Sequence, residues 1–350
     1  MSDTPFISVV MPVRNEARFI ARSLRSVLAQ DYPLDRFEVI VADGMSNDDT
    51  REVISRVSSA ANVRLIDNPG KIVATGLNLA IREAKGEVIV RVDGHCEIAP
   101  DYIRRCAELL TTSDAECVGG NLETIGETNR ARVIATAQSS RFGVGGSTFR
   151  IGSPEPRYVD TVAFPGYQRE TLRRLGEFDE ELVRNQDDEY NYRLRKSGGR
   201  ILLSPELRAR YYSRATFKNL FSQYCQYGYW KVRVLQKHPG QMQLRQFMPP
   251  LGVVGLLMLL LLAPFLKGVA VLTAACVLVY VLANLFASLL TANRAGWKLV
   301  MLLPVAFGII HFSYGFGFLF GLVKFWNRWT RSTPINIANV SSDATPLSAD

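Results

Sequence analysis

Two common phosphate-binding motifs and a disulfide framework are missing from this sequence of 350 residues. Neither GxGxxG nor GxxxxGK[ST] occurs, so the charge of any bound diphosphate would have to be carried by a metal ion. The cysteines form no CxxC pair, which indicates reduced thiols in a cytosolic compartment. The first residues contain no basic and apolar signal segment, so we expect the polar part of the chain to stay in the cytosol.

Apolar residues are unevenly distributed along the chain. They make up 47% of it, but from Phe247 onwards they dominate, whereas residues 1 to about 240 are mixed and sufficient for one sizeable soluble domain. The net charge of +8 favours anionic partners such as phosphates, nucleotides or acidic lipid head groups. No nucleic-acid-binding motif is present, so nucleic acid is not an expected partner.

Strands alternate with helices over the first hundred residues. The predicted strands cover 7–13, 37–42, 63–66 and 88–92, and amphipathic helices cover about 17–29 and 73–84. This alternation predicts an α/β fold with a mostly parallel sheet and helices on both faces. Ligands of such sheets bind beyond the carboxyl ends of the strands.

Polar side chains stand at these predicted strand ends. Asp93 and His95 are two residues apart, and a carboxylate with an imidazole suits Mn²⁺, and Mg²⁺ less naturally. A purely structural interpretation also exists, since Asp93-Gly94 and Asp43-Gly44 are ordinary turn sequences. Ser46 is a good helix cap, and Lys71 could be a solvated surface charge.

Several segments, in this order and spacing, resemble family 2 glycosyltransferases of the GT-A fold. The segments are Pro12-Val13-Arg14-Asn15-Glu16, Asp43-Gly44-Met45-Ser46-Asn47-Asp48-Asp49-Thr50, Val92-Asp93-Gly94-His95, Phe164-Pro165-Gly166-Tyr167-Gln168-Arg169-Glu170 with Leu175-Gly176-Glu177-Phe178-Asp179-Glu180, and Asn185-Gln186-Asp187-Asp188-Glu189. The likeness covers about residues 7 to 204. Within the family, the sequence resembles in particular the bacterial succinoglycan-type exopolysaccharide glucosyltransferases, which also have a membrane-spanning C-terminus.

The resemblance implies roles for individual residues. On the donor side, Asp43 would bind the uracil of a UDP-sugar, Lys71 would lie near its diphosphate, and Asp93 with His95 would form the metal site for Mn²⁺ or Mg²⁺. Further donor-side residues would be Pro12, Arg14, Glu16 and Ser46, and weaker acceptor-side candidates are Gly166, Tyr167, Gln226 and Trp230. His95 departs from the family, which usually has a second aspartate, although some GT-A enzymes have Asp-x-His.

Asp187 is the candidate general base. An inverting transfer needs a group that takes the proton of the attacking hydroxyl, and neighbouring acids can raise the pKa of such a carboxylate. Without the family, an acidic helix start that complements the helix dipole is the preferred explanation of the cluster, and the family resemblance shifts the preference to Asp187 as the base. Gln186 replaces the glutamate usual in the family, which leaves one strong acid at this pair.

The region after residue 213 has the features of a membrane anchor. Residues 216–238 are aromatic and basic, which favours an interfacial helix, with a buried core helix as the alternative. Three apolar stretches follow at 250–266, 269–290 and 299–323. Three spans would place Lys324, Arg328 and Arg331 outside, against the positive-inside tendency, so the last stretch could instead be a re-entrant hairpin.

Two further features of the sequence have open interpretations. His311 interrupts an apolar stretch and is either functional or the partner in a helix-to-helix hydrogen bond. The glycine-rich residues 143–147 form either a mobile loop over the acceptor or an ordinary linker.

We therefore expect a membrane-anchored enzyme with four regions. They are a cytosolic GT-A domain (1–213), an interfacial region (214–245), a membrane region of two to three spans (246–326) and a polar tail (327–350) that is expected to be disordered from Thr333. The expected reaction moves one sugar, with UDP-glucose as the first candidate donor, to a polyprenyl-diphosphate-linked acceptor in exopolysaccharide biosynthesis. The expected site is the bacterial inner membrane, with lipids and other polysaccharide-assembly proteins as partners.

Three alternatives remain at this stage. They are a processive polysaccharide synthase, a polyprenyl-phosphate sugar transferase and a non-catalytic sugar-nucleotide-binding partner. Processive synthases carry Gln-x-x-Arg-Trp, whereas Gln226 and Trp230 here enclose Tyr229 in place of the arginine. Tyr offers one hydroxyl where Arg offers a charged fork of donors, and this difference favours single transfer.

Overall fold

A computed structural model describes residues 4–58, 62–213 and 215–329 of the chain. Arg331 and the predicted tail beyond residue 329 lie outside the described residues. The described residues form one nine-stranded sheet. Its strands are β1 (Ile7–Val13), β2 (Phe37–Asp43), β3 (Val63–Asp67), β4 (Val88–Arg91), β5 (Cys96–Ile98), β6 (Cys117–Ile125), β7 (Arg157–Tyr158), β8 (Ala163–Gln168) and β9 (Ile201–Tyr212).

Helices cover both faces of the sheet and then continue alone. The helices of the sheet domain are α1 (Ile20–Leu28), α2 (Thr50–Val57), α3 (Val73–Glu83), α4 (Tyr102–Thr112), α5 (Asn129–Gln138), α6 (Arg141–Val144), α7 (Thr148–Ile151), α8 (Arg169–Leu175) and α9 (Gln186–Lys196). The C-terminal helices are α10 (Phe217–Lys237), α11 (Leu244–Leu262), α12 (Lys267–Ala295) and α13 (Leu303–Lys324).

The sheet has a parallel half and a mixed half. Its order is β3-β2-β1-β4-β8-β6-β9-β5, with β7 paired to β9. Strands β1 to β4 are all parallel, whereas β8 runs antiparallel to both β4 and β6. The predicted α/β fold is confirmed, and the parallel half carries the strand ends singled out in the sequence.

Strands β1 and β2 lie at the centre of this half and are buried along their whole length. Their β-branched residues pack on both faces, as a strand covered by helices on two sides requires. One core cluster includes Ile20 and Leu24 of α1, and the other includes Ala74 and Leu77 of α3. The carboxyl ends of the strands are therefore held in fixed positions.

Helix α10 packs closely along α13. A Cβ atom on Gly228 would lie 2.1 Å from the carbonyl oxygen of Tyr314, and one on Gly317 would lie 2.0 Å from that of Cys225. The two backbones approach each other so closely that only glycine fits at these contacts. We call this contact the glycine seam.

An interfacial helix is expected to turn its cations toward anionic lipid, and this expectation is wrong for two cations of α10. Lys231 and Arg233 are buried, at 2% and 4% exposure, and pair with Asp188 and Glu181. A buried charge needs a partner of opposite sign, and the sheet domain supplies both. The predicted interfacial position of α10 stays a prediction, because these contacts describe only its inner face.

Three C-terminal helices, α11, α12 and α13, are long and apolar enough to cross a membrane. In their most apolar windows, 11% of the residues of α11 and of α12 are buried, compared with 44% in α13. Helices α11 and α12 therefore expose far more apolar surface than α13 does.

Candidate active site

A single cavity of about 1770 Å³ lies at the carboxyl ends of β1 and β4 and extends to α11, α12 and α13. Residues of the two strand ends, Pro12 and Asp93 among them, line one part of it. Leu256 of α11 and Val281 of α12 line another part. One cavity thus joins the polar strand ends to the apolar helices.

Backbone strain is concentrated in the loops around this cavity. Among the described residues, the non-glycine residues with positive φ are Asn15, Met45, Lys71, Phe164 and Asn185. All but Met45 line the cavity. Positive φ is unfavourable for residues with a Cβ, and such strain typically persists at functional sites.

Arg91, at the end of β4, connects two of the predicted site residues. Its Nε donates to Asp93 Oδ1 at 2.9 Å and its Nη2 to Asp93 Oδ2 at 3.3 Å, while Nη1 donates to Asp187 Oδ1. Burial would lower the pKa of the guanidinium, but the charges of Asp187 and Asp93 outweigh burial and raise it. One buried cation therefore compensates both carboxylates.

Asp187 lies in the first turn of α9 and faces the cavity. Burial raises the pKa of its carboxyl, the Arg91 charge offsets part of this rise, and Asp93 and Asp188 add to it. The expected raised pKa is confirmed, but its main cause is burial and not like charge. The side chain is nevertheless 41% exposed, because it opens onto the cavity. A ligand in the cavity can reach it.

The two acids that follow Asp187 are engaged elsewhere. Asp188 Oδ2 accepts from Lys231 Nζ at 2.9 Å, and Glu189 is buried between Arg193 and His238. Glu189 is thus a structural residue of α9. Of the three acids, Asp187 is the one whose contacts join it to the β4 strand end.

His95 is held in an orientation that suits a metal ligand. Its Nδ1 lies 2.8 Å from Glu16 Oε1, and no partner of its Nε2 occurs among the residues that the structure describes. A carboxylate on one ring nitrogen fixes the tautomer and leaves the other nitrogen for a metal. Arg91 occupies one lone pair on each oxygen of Asp93, and each oxygen retains another.

The described residues contain no group of three or more His, Cys, Asp or Glu side chains at metal-binding distances. Asp93 and His95 can therefore supply two ligands at most. Two protein ligands fit a metal whose coordination is completed by ligand phosphates and water, which is the usual arrangement for Mg²⁺ at phosphate sites.

Several predicted donor-side residues lie on the cavity wall, namely Pro12, Arg14, Glu16, Lys71, Asp93 and His95. Asp43 and Ser46 do not line the cavity. Asp43 is fully buried, accepts from the backbone of Ser46 at 3.1 Å and pairs with Arg51 at 2.9 Å. In this arrangement both residues shape the loop after β2.

The predicted acceptor-side residues are divided between the cavity and the core. Gln226 lines the cavity and accepts from Arg184 at 3.0 Å. Tyr167 is buried in β8 and donates to Asn191 at 3.0 Å, and Gly166 of β8 packs against Cys106 of α4. Trp230 lies outside the cavity, against Phe325.

The residues around His311 connect the glycine-rich segment to the C-terminal helices. His311 Nδ1 lies 3.1 Å from the Tyr280 hydroxyl of α12, which confirms the helix-to-helix hydrogen bond. Its Nε2 lies 2.8 Å from the carbonyl oxygen of Phe142 in α6. Gly143 and Ser147 line the cavity, so this segment forms part of the cavity wall.

Sequence reasoning overlooked Arg91, Arg150 and Lys231 as site residues. Arg91 carried a usable signal, because a charge inside an otherwise apolar strand must find a partner. Arg150 and Lys231 come from segments distant in the sequence, and only the fold brings them to the cavity.

Comparison with known proteins is consistent with this geometry. The family model described as glycosyl transferase family 2 matches residues 8–175. The succinoglycan biosynthesis protein ExoA of Rhizobium meliloti is 33% identical over 69% of this chain and 73% of its own length. A dolichyl N-acetyl-alpha-D-glucosaminyl phosphate 3-beta-D-2,3-diacetamido-2,3-dideoxy-beta-D-glucuronosyltransferase of Methanococcus voltae is 25% identical over 91% of this chain and 98% of its own.

Solved structures show the same fold. A mannosyltransferase of Pyrobaculum calidifontis, in complex with GDP-mannose and Mn²⁺, superposes with a TM-score of 0.57 at 20% identity. The superposition covers 91% of this chain and 88% of that one. The GT-A-like architecture expected from the sequence is confirmed.

Replacement of Arg91 by glutamine should destabilise the protein. Removing one partner of a buried ion pair costs about 3–5 kcal/mol, and the opening of Asp187 onto the cavity reduces this cost. We expect a lower Tm for Arg91→Gln by intrinsic fluorescence, a smaller decrease for Arg91→Lys, and partial recovery in Arg91→Gln/Asp187→Asn. Equal Tm values for all variants would show that the bridge has no structural role.

Proposed function

The chain belongs to glycosyl transferase family 2, and from that membership we propose that it moves one sugar from a UDP-sugar to a polyprenyl-diphosphate-linked acceptor. UDP-glucose is the first candidate donor, and exopolysaccharide biosynthesis is the proposed process. The observation that carries the proposal is the single cavity that contains Asp93, His95 and Asp187 and continues to apolar helices. Family membership makes the protein a glycosyltransferase, whereas the identity of its donor and acceptor is a proposal.

The donor half of the proposed site lies at the ends of β1 and β4. Arg14 and Glu16 would line the nucleoside pocket, and the Lys71 ammonium would lie beside the diphosphate, as the family resemblance implies. Asp43 and Ser46 do not line the cavity, so they would support donor binding indirectly, by fixing the shape of the loop after β2. Asp93 and His95 would hold a divalent ion, and the related mannosyltransferase was crystallised with Mn²⁺. When bound, such an ion neutralises charge on the leaving diphosphate.

Asp187 is the proposed base of an inverting transfer. Its carboxylate would accept the proton of the acceptor hydroxyl while the hydroxyl oxygen bonds to the anomeric carbon and the bond to the diphosphate oxygen breaks. A raised pKa suits this task, because a base works best when its pKa approaches the working pH. Arg91 holds Asp187 beside the metal-binding strand end, so it would act as a positioning residue.

Transfer of a single sugar agrees with the surroundings of α10. Tyr229, at the position of the synthase arginine, packs against Trp230 and Phe325 and does not line the cavity. A processive synthase also needs a channel whose walls provide hydrogen-bond partners for a polar sugar chain within the bilayer. Transfer of a single sugar at the membrane surface needs no such channel. The acceptor is proposed as lipid-linked because the cavity reaches α11 and α12, and because the Methanococcus relative is named for a dolichyl-linked substrate.

The proposed anchor is the hairpin of α11 and α12, with α13 remaining at the catalytic domain. His311, in the first half of α13, contacts Phe142, and Arg328 beyond the end of α13 pairs with Glu181 at 2.8 Å. The fourteen residues of α13 from His311 to Lys324 extend about 21 Å, so a helix that crosses the bilayer would not touch the same domain at both ends of this stretch. This arrangement keeps Lys324 and Arg328 on the cytosolic side, as the positive-inside tendency requires.

A donor panel tests the proposed reaction. We expect purified enzyme to release UDP from one UDP-sugar in the presence of Mn²⁺ and a lipid-linked acceptor, and to stop in excess chelator. Radiolabelled product should run as one shifted band. GDP-mannose serves as the competing donor, and faster release from it would reassign the nucleotide. A ladder of products would instead identify a processive synthase.

Two aspartate substitutions should separate metal binding from base catalysis. Asp93→Ala should lose Mn²⁺ binding, measured by electron paramagnetic resonance, together with activity. Asp187→Asn should keep donor affinity by calorimetry but lose about 10²–10⁴-fold in turnover. Asp188→Asn is the matched control, because its carboxylate is paired with Lys231, and it should reduce turnover far less. A parallel loss of donor affinity in Asp187→Asn would reassign Asp187 to donor binding.

Cysteine labelling tests the two-span anchor. Phe265, between α11 and α12, is 79% exposed, and Trp326, after α13, is 73% exposed. With Cys225 and Cys276 changed to serine, Phe265→Cys should react with an impermeant maleimide in intact spheroplasts. Trp326→Cys should react only after lysis. Labelling of Trp326→Cys in intact spheroplasts would favour three spans.

A further inference from the structure

Positive charge is in excess on the cavity wall. Eight arginine and lysine side chains line the cavity against five carboxylates. Four of these eight cations have an acidic partner, namely Arg18 with Glu127, Arg91 with Asp93, Lys231 with Asp188 and Arg245 with Asp160. Among the described residues the other four, Arg14, Lys71, Arg150 and Arg184, form no ion pair. The surplus indicates that an anionic ligand completes the charge balance of the cavity.

Arg150 of α7 has no such partner. Within the described part of the chain its guanidinium forms no ion pair and no hydrogen bond, and its Nη1 is buried without a partner. The side chain as a whole is partly exposed, but a buried donor that finds no acceptor is costly wherever it occurs. A buried donor left unsatisfied on a cavity wall is the feature expected where a bound ligand supplies the acceptor.

Aromatic rings hold the Arg150 guanidinium close to the proposed metal site. Its carbon Cζ lies 5.4 Å from the centre of the Phe149 ring and 5.7 Å from that of Tyr211. Tyr211 in turn contacts the His95 ring edge-on, with the centres 5.0 Å apart. One tyrosine ring therefore separates Arg150 from the donor half of the cavity.

The remaining cavity wall is apolar and belongs to the proposed anchor. Leu256 and Leu259 of α11 and Val277 and Val281 of α12 line it. A guanidinium binds phosphate oxygens through two parallel hydrogen bonds, and an aliphatic wall accommodates a hydrocarbon chain. These two features together match a phosphate attached to a lipid.

We propose that Arg150 binds the phosphate of the lipid-linked acceptor at the point where the polar half of the cavity meets its apolar half. This inference rests on the proposed function and adds to it a specific phosphate-binding residue. The donor diphosphate would occupy a different place, beside Lys71, Asp93 and His95. Arg150 thereby sets how far the acceptor head group extends toward Asp187.

Binding of short-chain probes tests the role of Arg150 without the transfer reaction. Farnesyl diphosphate, farnesol and UDP are titrated separately against the purified full chain by calorimetry, in detergent with Mn²⁺. We expect Arg150→Gln to weaken farnesyl diphosphate binding about 10- to 100-fold, the usual effect of losing hydrogen bonds to a charged group. Binding of farnesol and of UDP should not change.

Two further variants serve as controls. Arg141→Gln removes an exposed arginine from the same segment, outside the cavity lining, and should bind farnesyl diphosphate as the wild type does. Arg150→Lys retains the charge but loses the planar fork, so its affinity should fall between those of Arg150→Gln and the wild type. A wild-type Tm for Arg150→Lys shows that its binding is measured on folded protein.

Each contrary result has a definite meaning. Weaker UDP binding in Arg150→Gln, with unchanged farnesyl diphosphate binding, would assign Arg150 to the donor. Unchanged binding of both, or equal losses in Arg141→Gln, would overturn the phosphate site. Failure of the proposed function is distinguishable, since the wild type would then release UDP from no UDP-sugar whatever the Arg150 variants bind.

Discussion

The candidate site depends on one buried cation, Arg91, which bridges Asp93 and Asp187. These carboxylates come from the end of a central strand and from the start of a distant helix, and without a cation between them they would repel each other. The bridge brings the proposed metal-binding residue and the proposed base to one wall of the cavity. A rigid parallel half-sheet supplies the fixed point, because β4 is buried along its whole length.

The loops that follow the strands contain strained backbone, and contacts with the surrounding residues offset the free energy that this strain costs. Asn15, Lys71, Phe164 and Asn185 adopt positive φ around the cavity. Strained residues cost of order 1–3 kcal/mol each, so surrounding contacts must hold them in place. Asn15 illustrates this, since its backbone donates to Ser46 and its side chain accepts from the backbone of Asn47. Local strain thus gives the cavity a defined shape.

The sequence predicted the parallel half of the fold and the strand ends well, because apolar β-branched runs and turn residues are local signals. Asp93, His95 and Asp187 were also recognised from their motifs, and the fold brings them to one cavity. Other features were not predictable from local pattern. Tyr167 and Asp43 look like site residues in the sequence but are buried, and the partners of Lys231 and Arg233 come from far along the chain. Long-range ion pairs leave no periodicity in the sequence.

The glycine seam between α10 and α13 has a consequence for substrate choice. Backbones in such close contact cannot slide past each other without a clash, so α10 and α13 move as one unit. A Cβ on Gly315 of α13 would lie 2.8 Å from the carbonyl oxygen of Pro249, so α11 is in similarly close contact with that unit. With α11 and α12 in the bilayer, the height of Asp187 above the lipid head groups is then constant. In the proposed reaction, an acceptor would react only when its hydroxyl lies at that height, so the enzyme would select glycolipids by the number of sugars they already carry.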